Sequence, residues 1–320
     1  MKKKIILVLA VCALVTRAQE TPQADTNSWV ESTKLKLKDM KFDFSRAESD
    51  IPFLPVLSLG YTVYGKSEFQ RVDGTGPNEE FRSQVSSAYT MVPLYIGKSG
   101  LLVAVPVVSH TLFNFTTGDL PDRGVTALYL PVGGMRQTEA GNQWGGFVMP
   151  AGYSPLSGQG AWAWSGMGGV IGRHMSGERL TWYYGLVYDY SFSDGYFLPY
   201  VGFTYIVDPG WAISMIAPWP AVSYAPCDWF FVRLGVAPSG ASWALDRKTD
   251  GAEQVTTSIG GWNLGLWANW RLGAFWWLAV GSGVSGLRSF EINQNGSADF
   301  DQSIGSEPWV SLSISLRPGN

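Results

Sequence analysis

Five polar side chains in the second half of the chain stand in segments that are otherwise apolar or built of small residues. They are the charged residues Asp189, Arg233 and Arg271 and the amides Asn263 and Asn269. A guanidinium stays protonated at physiological pH and offers five donors, so it suits anions and carboxylates. Charges that line a water-filled passage set its ion selectivity. If these five residues lie on strands that have one water-facing side, their side chains point into the lumen. They are therefore our candidate lumen-facing residues.

Catalytic chemistry lacks suitable residues. A hydrolase or acyltransferase needs a nucleophile, a base and an orienting group, and only His110 and His174 could serve as the base. The two histidines are 64 positions apart, and the chain has no Gly-x-Ser-x-Gly elbow. Zinc would need several His or Cys ligands. We therefore predict no enzyme activity, no catalytic residues, no metal site and no cofactor.

The segments that carry the candidate residues alternate with a period of two. Residues 310–316 alternate a large aliphatic with a serine. Residues 180–191 and 262–272 likewise place aromatic and aliphatic side chains on one face and more polar or small ones on the other. One apolar and one small polar face, repeated, predicts a barrel with lipid outside and water inside. The two internal segments are each close to the roughly 9–11 residues that a tilted spanning strand requires.

Turn signals separate the strands: Asp73-Gly74, Asp194-Gly195, Asp208-Pro209-Gly210, Asp250-Gly251 and Asn295-Gly296. The polar stretches 70–81, 246–254 and 293–307 predict longer exposed loops. Even strand numbers are the rule in single-chain bacterial barrels. We predict an all-β fold, a transmembrane antiparallel β-barrel of about 12 strands within a range of roughly 10–14.

Residues 1–18 have the form of a signal peptide. A basic start at Lys2, Lys3 and Lys4 precedes an apolar run over 5–15, which is shorter than the roughly 20 residues of a spanning helix. A lipoprotein signal ending at Cys12 is the rival, but a small residue should precede that cysteine. We predict cleavage near Ala18 and a location in the outer membrane of a bacterial cell.

The predicted domain organisation follows from the same patterns. Residues 19–50 form a polar N-terminal segment that can include a first strand, because residues 35–44 alternate loosely. The outer-membrane β-barrel covers residues 51–316, and residues 317–320 form a C-terminal tail.

The amino-acid composition limits the kinds of partner that the chain can bind. Removing the four basic residues of the signal from the 23 of the chain leaves 19 against 26 acidic groups, a charge of −7. Nucleic acid is therefore excluded as a partner, because phosphate binding needs clustered Lys and Arg. The 15 Trp and 14 Tyr are typical of membrane–water interfaces. The predicted partners are outer-membrane lipid and small-molecule solutes, and the sequence does not define an oligomeric state.

Residues 197–226 carry a family resemblance. A strand with Leu198-Pro199 and Gly202 is followed by Trp211, then by Pro218-x-Pro220 and Tyr224-x-Pro226. This order resembles the DUF6268 family of uncharacterised bacterial outer-membrane β-barrels, over roughly residues 50–316. The resemblance implies a barrel in the outer membrane and brings no functional residues with it.

The prolines of this segment have a physical interpretation of their own. Four prolines from Pro209 to Pro226 cannot lie evenly in a central strand, because proline removes a ladder donor. A tight rim turn at residues 218–220 is favoured. The alternative is a stiff segment that folds inward and narrows the pore.

Three functions remain open at this point. A narrow passive channel or uptake barrel for small solutes is favoured. The alternative is a structural or surface-interaction barrel in which the charges pair and fill the lumen, and a lipid-modifying enzyme is the least supported. Barrels of about eight strands are filled by side chains and those of about 16–18 leave a channel, so the predicted size implies a narrow lumen.

Overall fold

The computed structural model describes residues 55–69, 79–116, 123–154, 162–190, 195–246, 254–273, 275–294 and 297–317. The barrel belongs to the compact unit formed by Phe42–Tyr95 and Ser99–Asn320. The predicted signal peptide, the segment 19–50 and the turns at Asp73-Gly74, Asp250-Gly251 and Asn295-Gly296 lie outside the described residues. Within the described ranges, no helix is long and apolar enough to cross a membrane.

The described residues contain eighteen β-strand elements. They are β1 (Leu57–Phe69), β2 (Glu79–Thr90), β3 (Val92–Ile96), β4 (Gly100–Ala104), β5 (Val107–Phe115), β6 (Arg123–Tyr129), β7 (Val132–Gln137), β8 (Gln143–Ser154), β9 (Ala163–Ser176), β10 (Leu180–Tyr190), β11 (Tyr196–Asp208), β12 (Trp211–Ala217), β13 (Ala221–Cys227), β14 (Phe230–Asp246), β15 (Gln254–Arg271), β16 (Trp276–Gln294), β17 (Ser297–Ile304) and β18 (Glu307–Leu316).

Together these elements make a closed wall of fourteen strands within the described part of the chain. Four wall strands are interrupted once, so β2 continues as β3, β4 as β5, β6 as β7 and β17 as β18. Two interruptions contain Pro106 and Pro131, which lack a ladder donor. Neighbours run antiparallel, and β1 pairs with both β2 and β18, so the ring closes. The predicted antiparallel barrel is confirmed, but with fourteen strands rather than about twelve.

The two ends of the barrel differ in their connections. The connections that follow β7, β9, β11, β13 and β15 are two to five residues long, and β1 begins and β18 ends at the same barrel end. At the other end the connections between successive strands are up to nine residues long. Short turns mark the periplasmic end of such barrels. The predicted turn at Asp208-Pro209-Gly210 is confirmed there, and the Gly210 amide donates to Asp208 Oδ1 at 2.7 Å.

The outer face of the wall is apolar in its middle. Val310, Leu312 and Ile314 of β18 are exposed, whereas Ser315 on the opposite face is buried. The same contrast holds on β15, where Leu264 and Leu266 are exposed and Asn263 is buried. Serines, glycines and amides therefore face the interior, as the alternation predicts.

Aromatic pairs flank this apolar band at two levels. Toward the periplasmic end lie Trp144–Tyr184 (ring centroids 4.9 Å apart), Trp182–Phe203 (5.6 Å) and Trp211–Tyr224 (4.4 Å). Toward the extracellular end lie Trp162–Trp164 (5.8 Å) and Tyr188–Phe197 (4.9 Å). Aromatic girdles of this kind sit at the two membrane–water interfaces. The fold is a transmembrane β-barrel of the outer-membrane type.

Two predicted loops are wrong in part. Most of the stretch 293–307 is strand, because β17 covers Ser297–Ile304 and Glu307 begins β18 as a buried residue. The stretch 70–81 ends inside β2, where Phe81 is 0% exposed. Polar residues at these positions face the barrel interior, part of which is itself polar, and not only external solvent.

The barrel is pinched in its extracellular half. In the ring order β14 lies seven strands from β6, directly opposite, yet Cα atoms of β14 come within 8 Å of β6 and β8. The Ser239 hydroxyl of β14 lies 3.3 Å from the Ser285 hydroxyl of β16. The approach of β14 to β6 and β8 divides this half of the interior into a filled lobe, bounded by β1, β2, β5, β6 and β14–β18, and a side lobe, bounded by β8–β14, so that β14 borders both.

Gly240 permits the bend in β14. Its φ of +143° lies in the region that favours glycine, and an added Cβ would lie 2.2 Å from the Ile259 carbonyl oxygen. We expect Gly240→Val to lower the free energy of unfolding by about 1–3 kcal/mol, measured by urea titration in lipid vesicles. Gly286→Ala is the control, because its Cβ would meet nothing within 4 Å. Equal losses in the two variants would contradict the packing described.

Candidate functional site

A buried ion pair joins Arg288 of β16 to Glu307 of β18 inside the filled lobe. Arg288 Nη2 lies 2.9 Å from Glu307 Oε1, and the side chains are 5% and 0% exposed. The Ser67 hydroxyl of β1 donates to Glu307 Oε2 and accepts from Arg288 Nη1. Arg288 also donates to the Gly305 carbonyl at 3.3 Å. Buried charges are tolerated when they are paired and hydrogen-bonded in this way, so this pair is a structural part of the wall.

Polar neighbours complete this group. Asn263 donates to the Tyr64 hydroxyl at 2.9 Å, and with Ser67, Arg288 and Glu307 these two residues form what we call the ion-pair cluster. An adjoining cavity of about 20 Å³ has room for roughly one water molecule. The filled lobe therefore offers no wide passage at this level.

An apolar plug adjoins the ion-pair cluster. It consists of Phe81, Phe113, Phe115, Val125, Ile259, Phe290 and Ile304. The ring centroids of Phe113 and Phe115 each lie 6.0 Å from that of Phe81, and the Arg288 guanidinium lies 5.7 Å from the Phe81 centroid. The lobe is bounded by eight wall strands, and barrels of about eight strands are filled by side chains.

A third group, the basal cluster, lies at the periplasmic end of the filled lobe and consists of Phe231, Asn269, Trp277 and Arg317. The Arg317 guanidinium lies 5.2 Å from the Phe231 ring centroid and 5.4 Å from that of Trp277, and it donates to Asn269 at 3.2 Å. Burial lowers the pKa of this guanidinium, and the neighbouring Tyr89 opposes the shift. Arg317, the first residue of the predicted tail 317–320, therefore packs inside the barrel end.

The structure distributes the predicted lumen residues instead of gathering them. Asn263 and Asn269 lie in the ion-pair and basal clusters. Asp189 points inward from β10 and accepts a hydrogen bond from Tyr196 at 3.3 Å. Arg271 lies at the periplasmic end of β15, where it donates to the Gly273 carbonyl at 3.0 Å and lies 3.9 Å from Asp228.

Arg233 differs from the other inward charges. It shares the inner face of β14 with the buried Phe231 and pairs in register with Ser223 and Trp267, yet it is exposed. Within the described ranges its guanidinium has no ion-pair partner. An exposed, inward-facing charge on the wall implies that water reaches the interior at this point.

The side lobe has an aromatic inner wall. Tyr183 and Tyr200 have ring centroids 6.3 Å apart, and the Trp219 ring lies 6.0 Å from Tyr200. Trp219 belongs to the turn between β12 and β13, so residues 218–220 form a turn as predicted, but not at the rim. This turn lies below the extracellular ends of β11 and β14, and Trp219 packs against an inward-facing ring.

The two histidines are not brought together. His110 on β5 lies 3.0 Å from the Thr126 hydroxyl, and His174 at the end of β9 contacts Asn142. Two wall strands, β6 and β8, separate β5 from β9. Among the described residues, no group of three or more His, Cys, Asp or Glu side chains could hold a metal ion.

Sequence reasoning missed Arg288, Glu307 and Arg317. A β-bulge at Leu287, which has a φ of +49° and is 88% exposed, shifts β16 by one residue. Odd-numbered residues face inward before the bulge and even-numbered ones after it, which turns Arg288 inward. The change of period between Ser285 and Phe290 is the signal that could have revealed it.

No family model and no curated protein matches the chain, so the DUF6268 resemblance stays a prediction. Solved structures that resemble it include an outer membrane channel from Pseudomonas putida F1 (13% identity, 86% of this chain and 100% of that one, TM-score 0.40). The translocator domain of autotransporter NalP from Neisseria meningitidis shows 11% identity over 91% and 97% of the chains, with a TM-score of 0.32. A FadL homologue from Pseudomonas aeruginosa shows 10% identity over 82% and 89%, with a TM-score of 0.35.

Proposed function

We propose that the chain is a narrow passive channel for small solutes, with its passage in the side lobe. The observation that carries this proposal is Arg233 of β14, the strand that borders both lobes: it faces inward on the periplasmic side of the pinch, is exposed and lacks an ion-pair partner among the described residues. A guanidinium inside a barrel needs either a partner or water, and water supports a passage.

The rest of the interior restricts that passage. The apolar plug and the ion-pair cluster occupy the filled lobe, and the basal cluster narrows its periplasmic end. The side lobe presents Tyr183 and Tyr200 together with Thr204 and Ser214, whose hydroxyls lie 3.2 Å apart. A wall of aromatic rings and hydroxyls suits small solutes more than bulky ions.

Arg233 is expected to make the channel prefer anions. In a planar bilayer with a salt gradient, Arg233→Ala should shift the anion-to-cation permeability ratio roughly tenfold toward cations, because one charge about 6 Å from the ion in water favours an anion and disfavours a cation by about 0.7 kcal/mol each. Arg233→Lys should keep the preference, since it keeps the charge. Arg271→Ala should shift the ratio less, because Arg271 lies at the rim beside Asp228. The reversal potential measures all three.

Two outcomes would overturn this proposal. An unchanged ratio in Arg233→Ala, with conductance intact, would mean that ions do not pass Arg233. No current from the folded protein would favour the second candidate, a structural or surface-interaction barrel. The filling of one lobe by the apolar plug and the ion-pair cluster is the observation that favours this alternative.

A further inference from the structure

Two adjacent wall strands are too short to cross the membrane. β12 and β13 have seven residues each, whereas a spanning strand needs about 9–11. Their neighbours are longer, with 13 residues in β11 and 17 in β14. β12 pairs with β11 only from Val201 to Asp208, and β13 pairs with β14 only as far as Gly235.

The wall therefore has a gap, which we call the side notch. Its two sides are residues 196–200 of β11 and 237–246 of β14, and its sill is the turn 218–220. No strand of the described residues lies between the two sides. At the sill, the Val236 amide donates to the Pro220 carbonyl at 3.1 Å, which ends the pairing of β14 on this side.

Prolines stand on every border of the side notch. Pro199 lies on one side, Pro238 on the other, and Pro218 and Pro220 form the sill. Proline has no N–H group, so it suits strand edges that have no partner. Unsatisfied backbone donors are excluded from hydrocarbon. Proline is therefore tolerated at these four positions, where the wall has no partner strand.

The side notch reaches into the apolar band. Phe197, which is 64% exposed, faces outward and packs on Tyr188 in the extracellular aromatic girdle. Val201, which is 54% exposed, also faces outward and stands level with the sill. The opening therefore extends from the interface into the outer half of the membrane.

Behind the side notch the inner wall is apolar and aromatic. Leu198 pairs in register with the inward-facing, buried Val187, and below them Tyr200 contacts Tyr183 and Trp219. Asp189 and Tyr196 lie at the extracellular end of this inner wall, so an apolar molecule that enters level with Leu198 would meet apolar and aromatic side chains first. This continuity selects neutral, apolar molecules over ions.

We propose that the side notch is a lateral opening through which small apolar molecules dissolved in the membrane pass between lipid and side lobe. The proposal rests on the proposed function in one respect, which is that the side lobe contains free space. It adds a second route, which leads through the wall and not along the barrel axis. It also adds a substrate class, small apolar molecules, which the axial route does not define.

The test uses the folded barrel in vesicles that contain bromobenzene, an apolar heavy-atom quencher. In a Cys227→Ser background, one fluorophore is attached through Leu198→Cys behind the side notch. Matched variants are Ser313→Cys, inward on the intact wall, and Val201→Cys, outward in the lipid. We expect bromobenzene to quench the label at 198 at least twice as strongly as the label at 313. Equal quenching at 198 and 313, with strong quenching at 201, would overturn the proposal.

A second variant separates the lateral from the axial route. Inserting Thr-Val before Pro218 and again after Pro220 would lengthen β12 and β13 to about nine residues and close the side notch. Quenching at 198 should then fall to the level at 313 while ion current persists. Persistent quenching would mean that bromobenzene arrives through the barrel end. The comparison of 198 with 313 stands even if this variant does not fold, and conductance tests the channel independently.

Discussion

Glu307→Ala is expected to lower the free energy of unfolding by about 3–5 kcal/mol, the largest effect of any substitution considered. The substitution leaves the Arg288 guanidinium, which is 5% exposed, without a counterion. The Ser67 hydroxyl and the Gly305 carbonyl remain near it, but neither carries a compensating charge. Urea titration in vesicles, followed by tryptophan fluorescence, measures the loss.

Two controls define this result. The double variant Arg288→Met with Glu307→Leu should recover most of the loss, because apolar residues of similar size can replace a buried ion pair at little cost. Arg271→Ala removes the partner of Asp228, which is 73% exposed, and should cost no more than about 1 kcal/mol. A Glu307→Ala loss as small as that of Arg271→Ala would contradict the burial of the ion pair.

Leu312→Arg is expected to hinder folding into bilayers far more than Ser313→Arg. The two positions are adjacent on β18, so their backbone conformation and their depth in the membrane are nearly the same, and only the direction of the side chain differs. An arginine on the lipid face costs about 2–4 kcal/mol near the midplane, whereas the interior is wet or polar. Gel mobility of the folded and heated forms measures the folded fraction. Equal losses at 312 and 313 would reverse the assigned faces.

The alternation predicts strand faces well where lipid and interior demand different side chains. From Val310 to Ser315 of β18, aliphatic residues alternate with serines without exception. The structure places the aliphatic residues outward and the serines inward. On β10 the exposed Trp182, Leu186 and Tyr188 lie opposite the buried Val187. The period of two carries the information in these strands because each face has a single environment.

The pattern fails where both faces have similar chemistry. Around β5, large apolar side chains lie on both faces, since Phe113 belongs to the apolar plug and Leu112 lies on the other face, so the parity of this strand is not visible in the sequence. β17 and the start of β18 are polar enough to resemble a loop. These two kinds of segment account for the predicted strand number being too low.

For the candidate site, the sequence predicts only which side chains point into the barrel, and not which residues they contact. Asn263 and Asn269 point inward as the alternation requires, but their partners Tyr64 and Arg317 lie 199 and 48 positions away. The pinch at Gly240 and the bulge at Leu287 depend on how opposite or neighbouring strands meet. Such tertiary contacts leave no periodic trace in a single sequence.

The ion-pair cluster lies across the seam where the ring closes, and this position has a kinetic consequence. Ser67 on the first described strand and Glu307 on the last are 240 positions apart, so they meet only once the whole intervening chain is in place. Interactions that form after the transition state slow unfolding and leave the folding rate unchanged. The cluster therefore slows the opening of the closed ring, and it affects the lifetime of the folded barrel more than the rate at which the barrel assembles.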